Sequence, residues 1–332
     1  MRAIVYHRYG GPDVLKIEDV KRPIATKGSV VVRIMASAVN PADWQIRSGK
    51  RIQLSSPFTF IPGIDMAGIV EDTGPEVSEF ISGDRVFGLV PLDLQKEGRG
   101  SYAEYVEVPV RRMAKMSPKM SFEHAAAIPV SIQTVWKSLF ELGGLSSEDT
   151  VLIHAAAGGV GHIAVQMAKW KGAKVAGTAS GRNQEFLREI GVDMPINYET
   201  MVFEDAVRDV DIVLDTIVRD ADSCIDIDAQ DTRERSWHVL KKGGILVSLT
   251  GDPDFEKAEK YGVRAARLMA ENVISGDCSN VLNMAVELYE SNNLKPNIFR
   301  VFSLDQAQEA HRLSQQGHTR GKIIIKVGNH TV

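Results

Sequence analysis

The sequence predicts an α/β protein in two units, a compact all-β unit and a doubly wound parallel-sheet unit. Three observations carry this. The chain has 332 residues with 44% apolar content, long enough for two cores. Its first 120 residues or so are short β-like runs broken by Gly-Pro, Gly-Asp and Pro-Gly pairs. From Ser121 helix-length segments alternate with short apolar runs, the rhythm of a parallel sheet covered by helices on both faces.

In chain order, the β-like runs are AIVY (3–6), VVVRIMASAV (30–39), MAGIVE (66–71), RVFGLV (85–90) and YAEYVEVP (102–109). The second unit contributes VLIHAA, KVAGTA, DIVLDTI and GILVSL as its strands. After Gly276 the pattern gives a helix (280–289), a strand (298–302), a helix (304–314) and a last strand (322–327), a tail suited to return to the first unit. The expected division is therefore 1–120 with 276–332 as one domain, and 121–275 as the other. No internal repeat or low-complexity stretch interrupts it.

Composition narrows the function. With 39 basic and 43 acidic residues the net charge is −4, and no dense Lys/Arg run is present to track a phosphate backbone, so nucleic acid is not an expected partner. Cys224 and Cys278 lie far apart without CxxC spacing, which excludes a disulfide framework or a cysteine-rich metal site. The N-terminus, MRAIVYHRYGG, lacks the apolar run of a signal peptide, and no stretch approaches the ~18 apolar residues of a membrane span. The expectation is a soluble, cytoplasmic protein.

The segment HAAAGGVGHIAVQMAKWKGAKVAGTASGRN (154–183) holds the most chemistry. A strand (151–154) meets a helix (160–170) through small residues, bringing free backbone N–H groups and the positive helix end to one spot where a pyrophosphate can sit. Gly158, Gly159 and Gly161 leave room for it, although Ala156 stands at the first glycine of G-x-G-x-x-G. The following strand, KVAGTA, supplies the context of a dinucleotide site. Such a site for NAD places an acid about 20 residues past the glycines, on the ribose hydroxyls. Here the chain reads Thr178-Ala-Ser180-Gly-Arg182-Asn183, with hydroxyl and amide donors and a guanidinium that suits a 2′-phosphate. NADPH is the expected cofactor. The plainer alternative leaves Arg182 on a solvated loop. Tyr198, in INYET, is placed against the adenosine end, with simple packing as its alternative.

The chain resembles the medium-chain dehydrogenase/reductase superfamily, in its zinc-free quinone oxidoreductase-like branch. The resemblance spans nearly the whole length and rests on NPADW (40–44), PGIDMAGIVEDTG (62–74), GDRVFG (83–88), YAEYV (102–106), AAAIPVSIQTVW (125–136), HAAAGGVG (154–161) and GHTRGKIIIKV (317–327). It implies a GroES-like β domain completed by the C-terminal tail, a Rossmann domain, a cofactor cleft between them, and a homodimer. In zinc-dependent relatives a Cys takes the position of Asn40 and a His-Glu pair those of Ile64 and Asp65, and amide and isoleucine are poor zinc ligands. No cysteine occurs at 88–105, where those relatives hold a structural zinc.

Without a Lewis acid, substrates that accept hydride unaided are favoured, namely quinones and α,β-unsaturated carbonyls. The resemblance places Asn40 and Asp43 beside the nicotinamide, Asn40 as an amide donor and Asp43 orienting its neighbours; the alternative for Asp43 is an Asn-Pro turn with an N-cap. It puts Trp44 and Arg47 at the pocket mouth. Thr134, Val160, Leu249, Thr250, Gly251, Arg320 and Lys322 fall where related enzymes hold the ribose, phosphates and nicotinamide. His124 and His154 read as structural histidines, and Tyr102 and Tyr105 as pocket wall or core. One departure is an acidic stretch at 218–231, with Val218 and Arg219 replacing a glycine pair, read as a surface excursion or else a lid over the pocket. Two further functional readings stand beside the reductase. One is a 2-enoyl-thioester reductase, disfavoured because SGKRIQ lacks its tyrosine donor; the other is an NADPH-binding scaffold with little turnover.

Overall fold

The structure is a computed structural model that describes residues 1–50, 59–218 and 229–328. Most of the acidic stretch, including Arg219 and Cys224, and the part of SGKRIQ beyond Lys50 lie outside the described residues.

Fifteen strands form three sheets among these residues. A small antiparallel pair joins β1 (Arg2–Val5) and β2 (Lys16–Asp19). The first large sheet contains β3 (Ser29–Val39), β4 (Asp65–Thr73), β5 (Arg85–Leu89), β6 (Tyr105–Pro109) and β7 (Met113–Lys115). The second contains β8 (Thr150–His154), β9 (Lys174–Ala179), β10 (Met194–Asn197), β11 (Val210–Asp215), β12 (Leu240–Ser248) and β13 (Arg264–Arg267). The chain then returns: β14 (Ile298–Ser303) and β15 (Lys322–Lys326) complete the first sheet, with order β14-β15-β3-β4-β5-β7 and β6 paired to β3. The predicted runs and their strands agree to within a few residues, and the expected return of the tail is the antiparallel pairing of Ile323 with Val39.

The second sheet is parallel throughout, in the order β10-β9-β8-β11-β12-β13. Its direction of winding reverses between β8 and β11, so a crevice opens at the carboxyl ends of those two strands, where ligands of such sheets bind. β8 and β9 read as near-continuous apolar runs because both faces are covered; Val151, Leu152, Ile153, Val175 and Ala176 are all buried.

The two sheets share one apolar core. It passes from Met35, Ile64 and Phe87 through Ile128, just before the helix Pro129–Val135, and Ile132 on it, to Ile153 and Ile163. At about 25 cal/mol per Å² of apolar surface removed from water, burying Ile128 and Ile132 from both sides contributes roughly 1.5–3 kcal/mol each. The connecting helix is thereby held against the turn after β8, which fixes the site geometry.

Candidate active site

β3 ends in an Asn-Pro pair. Proline restricts the preceding residue to extended backbone, and Asn40 has φ −118° and ψ 152°. Pro41 then opens the helix Pro41–Arg47, where its missing N–H is no loss. Three residues on, Asp43 turns back and its Oδ2 accepts the Asn40 backbone N–H at 2.7 Å. The same oxygen accepts the Tyr102 hydroxyl at 3.2 Å, and Oδ1 is buried without a hydrogen bond. Asp43 is therefore the closing acid of the turn; burial holds its carboxyl up, at about 7.

Sheet register sets the next neighbours. Antiparallel pairing of Ile323 with Val39 carries Lys322 beside Asn40, and pairing of β3 with β4 brings Asp65 to the same edge. Lys322 Nζ donates to Asn40 Oδ1 at 2.7 Å and to Asp65 Oδ2 at 3.2 Å. Asn40 Nδ2 donates to Asp65 Oδ2 at 2.9 Å and, weakly, to the Ala38 carbonyl at 3.4 Å. Asp65 Oδ1 accepts the Val130 N–H, at the start of the connecting helix, at 2.7 Å. The amide of Asn40 thus has one orientation, oxygen toward ammonium and nitrogen toward carboxylate. Lys322 and Asp65 are almost fully buried, so this is an ion pair whose every partner is spoken for. The expectation that Lys322 reaches the coenzyme is corrected: its ammonium is turned inward to Asn40 and Asp65, beneath the glycine turn.

That turn follows β8. Ala155 sits at φ +50° and its N–H donates to Thr178 Oγ1 at 3.2 Å. The Gly158 N–H donates to the Ala155 carbonyl at 2.9 Å, so it closes the turn and is not offered to a ligand, contrary to expectation. The N–H groups of Gly159 and Val160 have no acceptor among the described residues and lie partly open at the start of the helix Gly161–Lys171. Two free, adjacent amides at that end fit a diphosphate. The three glycines differ in purpose: a Cβ on Gly161 would lie 2.3 Å from the Ala155 carbonyl, so packing alone demands glycine there, while one on Gly159 would meet Lys322 Cδ at 3.2 Å.

The turn is pinned by the connecting helix and by the residues just before the last two strands. Ser131 Oγ donates to the Gly159 carbonyl (3.0 Å), and Gly321 N–H to the Ala157 carbonyl (2.8 Å). His162 Nδ1 donates to the Gly158 carbonyl (2.8 Å) while Nε2 accepts the Asn297 N–H (3.1 Å). Burial lowers its pKa to about 4, which keeps the ring neutral and this tautomer in place.

At the far end of β9, Ser180 is buried and Arg182 is exposed, its Nη2 donating to the His318 carbonyl at 2.8 Å. Arg320 lies over the Phe186 ring at 5.2 Å, and Tyr198 stands 53% exposed just past β10. Sequence reasoning missed Glu199: its Oε2 accepts the Gly181 N–H at 2.8 Å. The signal was present, because β10 runs beside β9 with Asn197 opposite Ala179, so whatever follows Tyr198 must lie beside Ser180–Arg182.

After β12 the chain forms Leu249–Gly251, among the positions that the resemblance assigns to the coenzyme. Arg233, from the helix Ala229–Ser236, holds this loop: Nη1 donates to the Asp252 carbonyl at 2.9 Å, Nη2 to the Thr250 carbonyl, and Nε to Asp215 Oδ2 at 3.0 Å, at the end of β11. Thr250 Oγ1 donates to the Ile217 carbonyl. Thr134, on the connecting helix, is buried and its hydroxyl donates to the Val130 carbonyl at 2.7 Å, which leaves its oxygen as an acceptor.

Trp44 and Arg47 do not line a mouth. Both are buried; Trp44 Nε1 donates to Ser314 Oγ, and Arg47 donates to the Gly10 carbonyl, His311 Nδ1 and Gln315 Oε1, binding the C-terminal helix to the first sheet. His154 is buried at the end of β8 between Thr178 and Ser236, and His124 pairs with the Tyr289 hydroxyl, as expected of structural histidines. Tyr102 is fully buried, and Tyr105 carries Arg22 on its ring face at 4.2 Å. Among the described residues no group of three or more His, Cys, Asp and Glu is placed to hold a metal ion, and no helix is long and apolar enough to cross a membrane.

Known proteins are similar to this chain in sequence and fold. Residues 26–118 match the alcohol dehydrogenase GroES-like domain, and residues 190–325 match the family model described as zinc-binding dehydrogenase. The chain is 34% identical to 2-methylene-furan-3-one reductase of Solanum lycopersicum, over 98% of this chain and 79% of that one. The chain belongs to the medium-chain dehydrogenase/reductase superfamily, in its quinone oxidoreductase-like branch. It is 31% identical to the chloroplastic NADPH-dependent alkenal/one oxidoreductase of Arabidopsis thaliana, again over 98% and 79% of the two chains. The solved structure of the quinone oxidoreductase from Coxiella burnetii superposes with a TM-score of 0.87 at 32% identity, covering 99% of both chains.

Proposed function

We propose that this protein is an NADPH-dependent, metal-independent reductase of quinones and α,β-unsaturated carbonyls. The single observation that carries the reading is the closed Asn40–Asp65–Lys322 network beneath a turn with two unengaged amides. In zinc-dependent relatives a Cys stands at the position of Asn40 and a His-Glu pair at those of Ile64 and Asp65. Here an ammonium already neutralises the one carboxylate, and the amide oxygen faces that ammonium, leaving no donor set for zinc.

The residues that would hold NADPH are Gly159 and Val160 at the diphosphate, Ser180, Arg182, Tyr198 and Arg320 at the adenosine end, and Asn40, Thr134 and Leu249–Gly251 toward the nicotinamide. When bound, the coenzyme supplies a hydride. The protein's own part is to orient and to shield. The Asn40 amide, fixed by Lys322, presents its weakly engaged N–H at the sheet edge, where a carbonyl oxygen gathering negative charge is stabilised. Asp43 holds the Asn40 backbone from behind. Apolar side chains of the shared core keep water from the crevice floor. Relatives named for an enone and for a quinone support acceptors that spread the charge by conjugation. Kinship also supports a homodimer, which light scattering would test.

The decisive experiment follows oxidation of NADPH by absorbance across quinones, enones and enoyl thioesters, with and without a zinc chelator. Turnover of quinones or enones that resists the chelator is expected. Turnover that the chelator abolishes and zinc restores would overturn the metal-independent reading, and coenzyme binding with no acceptor reduced would favour a scaffold.

A further inference from the structure

We propose that Glu199 limits the preference of this enzyme for NADPH over NADH by opposing the 2′-phosphate at the adenosine end. This rests on the reading above that the adenosine ribose lies at Ser180–Arg182. The first strand pair predicts no acid at that place, since β9 runs out into Thr-Ala-Ser-Gly-Arg. The fold supplies one from the neighbouring strand. Asn197 ends β10 opposite Ala179, the Tyr198 N–H extends the ladder to the Ala179 carbonyl at 3.3 Å, and the next side chain reaches over to Gly181.

Glu199 is fixed there from both ends. Its backbone N–H donates to Asn197 Oδ1 at 3.1 Å, and its Oε2 accepts the Gly181 N–H at 2.8 Å. The fit is close, because a Cβ on Gly181 would come within 3.0 Å of Oε2 and 3.2 Å of Asn197 Nδ2. The Gly181 N–H is the first amide after Ser180, the donor that a phosphate at this ribose would seek alongside Arg182. A carboxylate already holds it. Two guanidiniums stand nearby, but Arg182 donates to the His318 carbonyl and Arg320 rests on Phe186, so neither is hydrogen-bonded to Glu199.

The consequence follows from charge. An anion next to a bound 2′-phosphate repels it, while the 2′-hydroxyl of NADH can donate to the same carboxylate. Arg182 and Arg320 favour the phosphate; Glu199 offsets part of that preference. The chain therefore combines the donors of an NADP site with an acid delivered from the wrong strand, and its selectivity is the difference between them.

Glu199→Gln isolates the charge, because the glutamine amide oxygen still accepts the Gly181 N–H and keeps the loop in shape. Dissociation constants for NADPH and NADH, read from nicotinamide fluorescence, would be compared for the wild type, Glu199→Gln and Arg182→Gln. Glu199→Gln is expected to tighten NADPH about fivefold while NADH is unchanged or weakened, widening the ratio. A ratio that stays within about twofold of wild type, or narrows, overturns the proposal. Arg182→Gln separates the two layers of the argument. If it weakens NADPH selectively while Glu199→Gln does nothing, only the role of Glu199 fails; if neither variant moves the ratio, the placement of the adenosine end fails as well.

Discussion

The ammonium of Lys322 lies 2.7 Å from the amide oxygen of Asn40, across the seam where the last strand of the chain rejoins the first sheet. With Asp65 it forms a buried network in which each group satisfies the other two. Removing the cation leaves a buried carboxylate whose charge is balanced only by neutral N–H donors. Lys322→Met is therefore expected to destabilise the protein by about 3–5 kcal/mol. The double variant Asp65→Asn with Lys322→Met should recover more than half of that, as read by urea denaturation in a double-mutant cycle. Strict additivity would show that the pair is not coupled.

A second consequence concerns pH. His162 has both ring nitrogens engaged as a neutral ring, with a pKa near 4 against about 6.5 in an unfolded chain. Between those values the unfolded state binds the extra proton. Stability therefore rises with pH across that window and is lost as pH falls toward 4. His311, whose Nδ1 accepts from Arg47 and whose pKa is near 3, acts in the same direction. Asp43, raised to about 7, acts in the opposite one: its carboxyl is protonated in the fold while ionised in the unfolded chain, which lowers stability as pH rises from about 4 to 7. His162→Gln should remove one proton from the slope, a difference on the order of 3 kcal/mol between pH 4 and 6.5. Unfolding free energies over that range would show an unchanged slope if the ring were not buried neutral.

The sequence carried the fold because its signals are local. Short β-like runs, punctuating glycines and the alternation of strand and helix lengths marked all four central strands of the parallel sheet, and the tail's return was readable as strand-helix-strand. The site was legible where backbone makes it, at the turn 155–161. It was not legible where register makes it. Lys322 and Asn40 are 282 positions apart, and only the antiparallel pairing of β15 with β3 shows that one faces the other. Glu199 was missed for the same reason, since a residue after β10 was judged alone and not as the neighbour of β9. Trp44 and Arg47 were placed at the pocket mouth by the resemblance, which does not show what covers them; the helix Ala307–Gln316 does.

Arg233 gives a third prediction. Its guanidinium ties two carbonyls of the 250–252 loop to Asp215 at the end of β11, and a planar fork is needed to span them. Arg233→Lys keeps the charge and loses the span. On the proposed placement of the nicotinamide, the dissociation constant for NADPH should rise about tenfold, with thermal stability falling by a few degrees. A fall in stability without any change in coenzyme affinity would place the loop away from the coenzyme.

The tie between the two sheets is tested at Gly321. Its φ is +81°, a Cβ there would lie 2.1 Å from the Asn297 carbonyl, and its N–H is the donor that holds the Ala157 carbonyl of the turn. Both the backbone conformation and the contact forbid a side chain, so Gly321→Ala must shift the 317–321 segment and with it the Ala157 anchor. The expected result is a loss of about 2–4 kcal/mol of stability together with weaker NADPH binding, because Gly159 and Val160 lose their support. Gly243→Ala is the comparison: its φ is +77°, but a Cβ there meets nothing within 4 Å. It should carry only the conformational cost of about 1 kcal/mol and leave coenzyme binding as it is. Equal effects of the two substitutions, measured by denaturation and by NADPH fluorescence, would mean that the turn does not depend on the C-terminal strand for its shape.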